Sequence, residues 1–363
     1  MNFILPFLTA FLISAFLTPV AAIFARKFGL IDDPRKSLNP GSIHKRVVPR
    51  AGGLPIYVAV FLASLIFIGI SKKTLGILGG GMILVIIGLI DDKINLKSYH
   101  KLIAQFLAAI LVVASGIGIA FITNPLFAVG NFGGLGEVIR LDSLRFVFNF
   151  WGTHSILILA DIFAIFWIVW VINMVNFSTG VDGQMPGIVI ITLLVIFAAS
   201  LLFSGQDPSQ ILVARLALIG AGATAGFLIF NFYPARIFPG DSGSYFLGFL
   251  IAVLAILSGA KVGTAILVMA VPLIDGVFTI IRRVAEGKSP FLGDRGHLQH
   301  RLLALGWGQR RISLFYWFLC AILGAAALGL HSTQKLFVGV FIATIVIGGL
   351  LWLNMNLSQK RQR

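Results

Sequence analysis

Long apolar runs, each about the length that crosses a membrane, alternate along this chain with short polar segments. A helix needs roughly 20 apolar residues to cross the hydrocarbon core of a bilayer. Eleven such runs cover residues 3–24, 53–71, 74–90, 102–122, 154–175, 186–204, 211–230, 244–258, 261–281, 312–330 and 336–355. The pattern predicts an all-α polytopic membrane protein with about eleven transmembrane helices, a count that can be off by one and so allows ten.

The composition narrows the class further. Of the 363 residues, 58% are hydrophobic and only 11% are charged, which is more apolar surface than a soluble domain can bury. The first run has neither a basic segment before it nor a small-residue cleavage site after it, so we expect a retained helix rather than a signal peptide. Because no internal repeat or linker is visible, we expect residues 1–363 to form one integral-membrane domain.

Lysine and arginine are distributed unevenly between the two sets of alternate loops. Of the 28 such residues, 21 lie in segments that share one face. Positive residues are retained on the cytoplasmic side, so the N-terminus is predicted outside, the C-terminus in the cytoplasm, and the chain in the cytoplasmic membrane. The net charge of +15 could also indicate nucleic acid, but no basic stripe with interleaved aromatic residues is present. We therefore expect membrane lipids and phosphorylated substrates as partners, and no nucleic acid.

Five polar loops on the predicted cytoplasmic face carry the candidate chemistry. They cover about residues 25–52, 91–101, 173–185, 231–243 and 282–311. Polar and charged side chains gathered on one face of a membrane protein are typical of an active site on that face. We therefore predict an active site on the cytoplasmic side.

Adjacent aspartates, Asp91 and Asp92, end one apolar run and are followed by Lys93, Lys97 and Lys101. Two carboxylates at the mouth of a helix can hold a divalent cation and position an anionic substrate. Their mutual repulsion raises one pKa into the range used for proton transfer. The alternative is a solvated end of a transmembrane helix, for which a single aspartate would suffice.

A second polar cluster lies where a helix breaks near Gly180, and it contains Asn173, Asn176 and Asp182. Three-residue spacing places both asparagines on one face of the helix, where their amides can bind metal or substrate. Amides in an apolar segment can instead hold neighbouring helices together.

The third cluster is the segment FNFYPARIFPGDSGS, which contains Asn231, Asp241 and Ser242. Its prolines and glycines predict a tight loop whose backbone amides open the next helix and favour phosphate. Asp241 is then placed to bind the counter-cation, although a plain N-cap role is the alternative. GDSG also surrounds the nucleophile of trypsin-like proteases, but that chemistry needs a scaffold that a helical membrane chain does not offer.

The fourth cluster, DRGHLQHRL, contains Arg295, His297, His300 and Arg301. The two histidines are three residues apart and share one face of a helix. Imidazole and guanidinium groups can guide a nucleotide diphosphate. Two histidines without a third ligand nearby make only a weak zinc signal.

Two further features allow two interpretations each. The basic residues of the loop at 31–53, with His44 and Arg46 among its polar residues, either belong to the candidate chemistry or only determine the topology. Asp275, near the inner end of the ninth run, is either a functional intramembrane carboxylate or the structural partner of Arg282 or its neighbour.

Taken together, the loops resemble the polyprenyl-phosphate N-acetylhexosamine-1-phosphate transferases, the polytopic enzymes that start peptidoglycan, O-antigen, teichoic acid and N-glycan lipid intermediates. The resemblance spans residues 31 to 311 and rests on motifs in family order: IHKRVVPRAGG, GLIDDK with KLIAQ, NMVNFSTGVDG, NFYPARIFPGDSGS, VPLIDGVFTIIRR and DRGHLQHRLLALG. Each motif alone is modest, whereas six in order are a strong signal.

Within the family, the chain is more similar to the branch that uses UDP-N-acetylhexosamines, such as the undecaprenyl-phosphate GlcNAc-1-phosphate transferases, than to the phospho-MurNAc-pentapeptide transferases. PRAGG resembles the Pro-Arg-x-Gly-Gly of the former, and DRGHLQHRL resembles its Asp-Arg-x-His-x-His-His. Two positions depart from the pattern. Gln299 stands where a middle histidine is usual, and Thr179 stands where many bacterial members have an aspartate.

The resemblance implies that a polyprenyl phosphate attacks the β-phosphorus of a UDP-N-acetylhexosamine, with Mg²⁺ or Mn²⁺ as cofactor and UMP as product. It implies Asp241 as the principal metal ligand, assisted by Asn176 and Asp92, and Asp91 as the group that orients or deprotonates the lipid phosphate. His297 is the further catalytic candidate. The candidate substrate-binding residues are Lys101, Asn173, Asp182, Asn231, Arg295, His300, Arg301, His44 and Arg46.

Other functions stay open at this point. The main alternative is phospho-MurNAc-pentapeptide transfer. A secondary transporter should show paired halves and a polar site at the bilayer midplane, neither of which is visible. A non-catalytic lipid-binding member is made more plausible by Thr179 and Gln299. Outward-facing apolar helices would allow a homodimer, but no motif indicates one.

Overall fold

The computed structural model describes residues 2–35, 44, 46–124, 138–149, 153–258, 261–289 and 296–362. Helices dominate it because the apolar runs can satisfy their backbone groups in a membrane only by helical hydrogen bonding. In chain order the helices are α1 (Ile4–Phe28), α2 (Gly53–Phe67), α3 (Lys72–Ile94), α4 (Ser98–Ala114), α5 (Ile158–Phe177), α6 (Gln184–Phe203), α7 (Gln210–Asn231), α8 (Gly240–Leu257), α9 (Lys261–Val268), α10 (Ala270–Ala285), α11 (Leu298–Ala304), α12 (Gln309–Gly329) and α13 (Ser332–Gln362).

The eleven predicted runs all coincide with helices. Within the described residues, eight helices are long and apolar enough to cross a membrane, or nine if α9 and α10 are counted as one span. The two other runs form the shorter apolar helices α2 and α4, of 15 and 17 residues. The prediction of an all-α polytopic membrane protein is confirmed, whereas the number of crossings and their orientation stay predictions.

The ninth run is not the single straight helix that its hydropathy predicts. α9 and α10 meet at an angle of 82°, and Met269 separates them. Pro272 has no N–H to donate to the carbonyl group of Val268, so one hydrogen bond of the helical ladder is missing at this point. The bend redirects α10, which carries Asp275.

The centre of the bundle is α8, which contacts α2, α3, α5, α6, α7 and α9. It is far more enclosed than the C-terminal helix: 83% of its most apolar 18-residue stretch is buried, against 11% for α13. Small residues bring other helices together closely, as where Gly222 and Gly226 of α7 meet the backbone of α1.

In the part of the chain that the structure describes, six short strands form three antiparallel two-stranded sheets: β1 (Ile31–Asp32) with β2 (Val48–Pro49), β3 (Phe121–Thr123) with β4 (Val138–Arg140), and β5 (Arg145–Asn149) with β6 (Thr153–Leu157). In the first sheet Ile31 lies opposite Pro49. This pairing returns the chain to the end of the bundle where α1 ends and α2 begins, and it places Arg50 there.

Candidate active site

Three aspartates from two helices converge at one end of the bundle. Asp91 and Asp92 lie in the last turn of α3, and Asp241 lies in the first turn of α8. Lys101 of α4 and Arg50 lie between their carboxylates. With all five groups ionised, three negative charges face two positive charges.

Asp241 lies at the middle of this cluster and accepts hydrogen bonds from three helices. Its Oδ1 accepts from the amide nitrogen of Asn176 at 3.0 Å. Its Oδ2 accepts from the Tyr245 hydroxyl at 3.0 Å and from Lys101 Nζ at 3.3 Å. Arg50 lies 3.9 Å from Oδ1. The carboxylate is therefore held in place with polar groups around it, while its side chain stays 15% exposed.

Asp92 has a different environment from its neighbour, because its side chain is wholly buried. Its Oδ1 accepts the backbone N–H of Asp241 at 3.0 Å, and its Oδ2 accepts the Ser242 hydroxyl at 3.2 Å and the Ser242 N–H at 3.4 Å. Arg50 Nε lies 3.2 Å from Oδ1. Asp92 thus caps the free N–H groups that open α8, a role usually filled by a residue within the same chain segment.

Arg50 stays charged between these carboxylates. Burial by itself lowers the pKa of its guanidinium, but the negative charges of Asp92 and Asp241 outweigh burial and hold that pKa above its usual range. Its segment is fixed by the backbone, because Gly52 N–H and Gly53 N–H donate to the carbonyl oxygens of Phe238 and Pro239 at 3.1 Å.

Asp91 faces Lys101 rather than the N-terminus of α8. Lys101 Nζ donates to Asp91 Oδ2 at 2.6 Å and also reaches Asp241. The other oxygen of Asp91 accepts the N–H of Leu96 at 2.6 Å. A single ammonium group therefore links the two carboxylates.

Close backbone approach makes this arrangement possible, and glycines permit it. A Cβ at Gly88 of α3 or at Gly53 of α2 would overlap the backbone around Ser242. Gly240 has a left-handed φ of 66°, and a Cβ there would overlap the Asp92 carboxylate. The start of α8 is therefore packed against two other helices without intervening side chains.

Two other predicted site residues, Asn173 of α5 and Asn231 of α7, bind neighbouring parts of the protein. The Asn173 amide nitrogen donates to the side-chain oxygen of Gln105 on α4 at 2.7 Å, and the Gln105 amide nitrogen donates back to the Asn173 oxygen. Asn231 accepts the N–H of Gly183 at 3.0 Å and donates to the carbonyl group of Ile237 at 2.9 Å. These contacts favour roles in holding the site together, and the predicted substrate contacts of both asparagines stay predictions.

Asp182 lies in the turn before α6 and also binds the backbone. Its Oδ2 accepts the N–H of Ala235 at 2.9 Å, and its carbonyl oxygen accepts the Ser313 hydroxyl at 2.7 Å. Burial raises the pKa of the Asp182 carboxyl, against the hydrogen bond from Ala235 that lowers it. The turn is thereby tied to the loop before α8 and to α12.

Asp275 is not the partner of Arg282 or its neighbour, which was one interpretation of its position in the sequence. Its Oδ2 lies 2.9 Å from His297 Nδ1, and its Oδ1 accepts the N–H of Leu298 at 2.8 Å. The bend before α10 and the return of the chain through α11 bring these residues together over a separation of 22 positions. The His297 ring also lies against Phe177, with 5.5 Å between ring centroids.

The other members of the His297 segment are divided between buried contacts and the α5–α6 turn. Arg301 is 4% exposed and donates to the carbonyl groups of Gly296 at 2.7 Å and Leu350 at 2.6 Å. These two contacts tie Arg301 to the backbone of its own segment and of α13. His300 lies beside Gly180, with Nε2 3.2 Å from where a Cβ of that glycine would be.

Gln299, one of the two departures from the family pattern, is a buried bridge. Its oxygen accepts from Gln184 Nε2 at 2.9 Å, and its Nε2 donates to the carbonyl group of Phe177 at 3.0 Å. Thr179, the other departure, donates to the carbonyl group of Asn176 at 2.8 Å. Both residues stabilise the turn that follows α5.

Two predicted residues lie at the edge of the cluster, and one lies beyond the described residues. His44 packs against Phe238 with 5.1 Å between ring centroids, and its Nε2 lies 3.3 Å from Asp32 Oδ2. Arg46 is exposed nearby. Arg295 falls outside the described residues.

Two contributors to the cluster were not among the predicted site residues. Arg50 belongs to the PRAGG motif, but its sequence position beside other basic residues does not separate it from a topology determinant. Tyr245 could have been found, because it follows Asp241 by four residues and positions i and i+4 share one face of a helix.

No group of three or more His, Cys, Asp or Glu side chains within the described residues is arranged to hold a metal ion. Oxygen ligands nevertheless suit Mg²⁺, which is commonly held by only one or two carboxylates together with phosphate oxygens and water. The pair formed by Asp91 and Asp241, which share Lys101, fits that donor set. Asn176 directs its amide nitrogen, not its oxygen, toward Asp241.

Known proteins resemble this chain over most of its length. It is 30% identical to the probable undecaprenyl-phosphate N-acetylglucosaminyl 1-phosphate transferase of Bacillus subtilis, over 95% of this chain and 89% of that protein. It is 32% identical to the decaprenyl-phosphate N-acetylglucosaminephosphotransferase of Mycolicibacterium smegmatis, over 88% of this chain and 80% of that protein. Against the phospho-N-acetylmuramoyl-pentapeptide-transferase of Bacillus licheniformis it is 28% identical, over 86% and 94%.

The model of one transferase family matches residues 74–259. This segment contains α3, α4, α5 and α8, which supply Asp91, Asp92, Lys101, Asn176 and Asp241. The family match, the relatives and the convergence of these side chains agree with the resemblance of the sequence motifs. The chain is a multi-pass membrane enzyme that belongs to glycosyl transferase family 4.

Proposed function

We propose that this enzyme transfers N-acetylglucosamine 1-phosphate from UDP-N-acetylglucosamine to a polyprenyl phosphate such as undecaprenyl phosphate, forming polyprenyl-diphospho-N-acetylglucosamine and UMP. The observation that carries the proposal is the convergence of Asp91, Asp241 and Lys101 at the start of α8. The choice of lipid phosphate and sugar is supported by the similar transferases of Bacillus subtilis and Mycolicibacterium smegmatis, which act on undecaprenyl phosphate or decaprenyl phosphate and on N-acetylglucosamine. The reaction would be the first membrane step in building a cell-envelope glycan.

In the proposed reaction an oxygen of the lipid phosphate forms a bond to the β-phosphorus of the UDP-sugar. The bond between that phosphorus and the bridging oxygen breaks, and UMP leaves with the electron pair. Phosphoryl transfer depends mainly on positioning and charge neutralisation. A phosphate monoester has a second pKa of about 6 and is largely a dianion at neutral pH, so Asp91 need only orient it.

Lys101 and Arg50 supply the positive charge that the protein itself brings to the phosphates. Lys101 lies between Asp91 and Asp241, so its ammonium can move from a carboxylate to a phosphate oxygen without leaving the cluster. Arg50 is held by Asp92 and keeps its charge beside Asp241. Both groups are expected to contact or face the negative charge that develops during transfer.

We further propose Mg²⁺, with Mn²⁺ as a substitute, as the cofactor. Asp241 and Asp91 would hold it, because Asp92 is already engaged by three N–H or O–H donors and Arg50. Asn176 could take part only after its amide is turned, since its nitrogen now donates to Asp241. The metal would supply charge neutralisation for the diphosphate.

An apolar cavity of about 840 Å³ supports a lipid acceptor. It lies among α5, α9, α10 and α13, and Phe163, Trp170 and Phe278 are among its lining residues. Trp170 is three residues before Asn173 on α5, so the cavity extends toward the polar end of that helix. We propose that a prenyl chain occupies it.

The polar end of the bundle is proposed to face the cytoplasm, in the cytoplasmic membrane, as the distribution of lysine and arginine favours. Labelling of single cysteines placed in the loops, with a membrane-impermeant reagent, tests this orientation. A homodimer stays a prediction.

UMP release by the purified protein tests the proposed reaction. The protein is given polyprenyl phosphate, Mg²⁺ and, in separate reactions, UDP-GlcNAc, UDP-GalNAc or UDP-MurNAc-pentapeptide. We expect release with UDP-GlcNAc and its loss in Asp241→Ala. Asp207→Asn is the matched control, because Asp207 is exposed in the loop at the other end of α6. Release only with the pentapeptide donor would favour the alternative transferase, and silence with every donor would favour a non-catalytic lipid-binding protein.

A further inference from the structure

Asp275 and His297 form a buried pair at the start of α11, in which Asp275 has not yet been given a role. Asp275 is 3% exposed. It holds the start of α11 with both oxygens, one 2.9 Å from His297 Nδ1 and the other 2.8 Å from the N–H of Leu298. One carboxylate on α10 thus fixes both the His297 ring and the backbone at Leu298.

The contacts of the imidazole are one-sided. Nδ1 has Asp275 at 2.9 Å and the Thr279 hydroxyl at 3.4 Å. Nε2 has no hydrogen-bond partner within the described residues, and it keeps some exposure to solvent. Phe177 supports the ring, and it follows Asn176, whose amide binds Asp241. The free nitrogen is therefore the only one that a ligand can reach.

A carboxylate at Nδ1 determines the state of the ring. It requires the proton to be on Nδ1, because a carboxylate can only accept. A histidine held this way can accept at Nε2 when neutral and donate to an anionic phosphate when protonated.

We propose that Asp275 is the positioning residue of His297: it fixes the proton on Nδ1 and directs Nε2 to the diphosphate of the nucleotide-sugar. The identity of that ligand rests on the proposed function. The positioning itself rests only on the geometry of the pair. Asp275 does not touch the substrate and acts through His297.

The first test is spectroscopic and needs no turnover. Nitrogen NMR of protein labelled with ¹⁵N-histidine reports which ring nitrogen carries the proton, and a His297→Gln variant identifies the His297 signals. We expect a protonated Nδ1 in the wild type and a mixture of tautomers in Asp275→Asn. Asp275→Glu keeps a carboxylate and should retain more of the Nδ1–H form than Asp275→Asn does. An Nε2-protonated ring in the wild type, or an unchanged spectrum in Asp275→Asn, would overturn the proposal.

The second test is a double-mutant cycle on UMP release with Asp275→Asn and His297→Gln. Groups that orient an active-site ligand typically contribute about 10- to 100-fold, so we expect a loss in kcat/KM of that size for Asp275→Asn. The same substitution should cost little when His297 is already Gln. An equal fold-loss in both backgrounds would show a merely structural role.

Asp161→Asn is the matched control for both measurements. Asp161 is also a carboxylate near a helix end and accepts the N–H of Leu157 at 3.0 Å, but it lies at the opposite end of α5 from Asn176. If the wild type released no UMP from any donor, the proposed function would fail, while the NMR result would still decide the pairing.

Discussion

Asp92 accepts the backbone N–H of Asp241 through Oδ1 at 3.0 Å, so one aspartate of the cluster holds another in place. The neighbouring residues Asp91 and Asp92 on α3 therefore have different contacts. Asp92 accepts hydrogen bonds from the start of α8, whereas Asp91 faces Lys101. Their adjacency in the sequence suggests equivalent ligands, and the packing of α3 against α8 makes them different.

Substitution of the two aspartates should separate these roles. We expect Asp92→Ala to lower both activity and the thermal unfolding temperature, because three donors around α8 lose their acceptor. Asp91→Ala should lower activity with a smaller change in unfolding temperature, since Lys101 still pairs with Asp241. Unfolding in detergent and UMP release on the same preparations measure both. Equal destabilisation by the two variants would contradict this division.

Arg50 is expected to be needed for stability as well as for turnover. Removing one partner of a buried ion pair typically costs roughly 3–5 kcal/mol, and Arg50→Ala would leave the wholly buried Asp92 side chain without its cation. Arg50→Lys keeps the charge and should retain part of the stability. Arg35→Ala, in the same loop but exposed, is the control. A wild-type unfolding temperature in Arg50→Ala would disprove the assignment.

Gly88→Ala should displace the start of α8. The added methyl group would meet the backbone of Ser242, which is already fixed by Asp92. Because a displacement of 1 Å can reduce turnover by about 10²-fold, we expect a loss of that order. Gly348→Ala in α13 is the matched control, since no atom lies within 4 Å of its added methyl group. Comparable kcat in both variants would argue against this close packing.

Removal of divalent metal should abolish UMP release, and Mg²⁺ or Mn²⁺ should restore it. Binding of Mn²⁺, followed by electron paramagnetic resonance, provides a measurement that does not depend on turnover. We expect the bound signal to be lost in Asp241→Ala and retained in Asp207→Asn. Full activity in the presence of a chelator would rule out the metal.

Part of the candidate site follows from local sequence alone. Asp241 lies in the glycine-rich segment that opens a helix, and Asp91 and Asp92 end an apolar run, so their positions at helix ends can be predicted. The partners of these residues cannot be predicted in the same way. Asp275 lies two turns before Arg282 along one helix face, but pairs instead with His297 because α10 is redirected by the bend at Met269.

The apolar runs by themselves determined the helical membrane fold, because a chain in hydrocarbon has to satisfy its backbone within each segment. Motif order by itself determined the family. Only the tertiary structure decided which polar side chains bind other parts of the protein. Asp92, Asn231 and Arg301 have groups that could bind a metal or substrate, but oxygens or N–H groups of these side chains form hydrogen bonds within the protein instead. That division depends on contacts between distant helices, which no local pattern records.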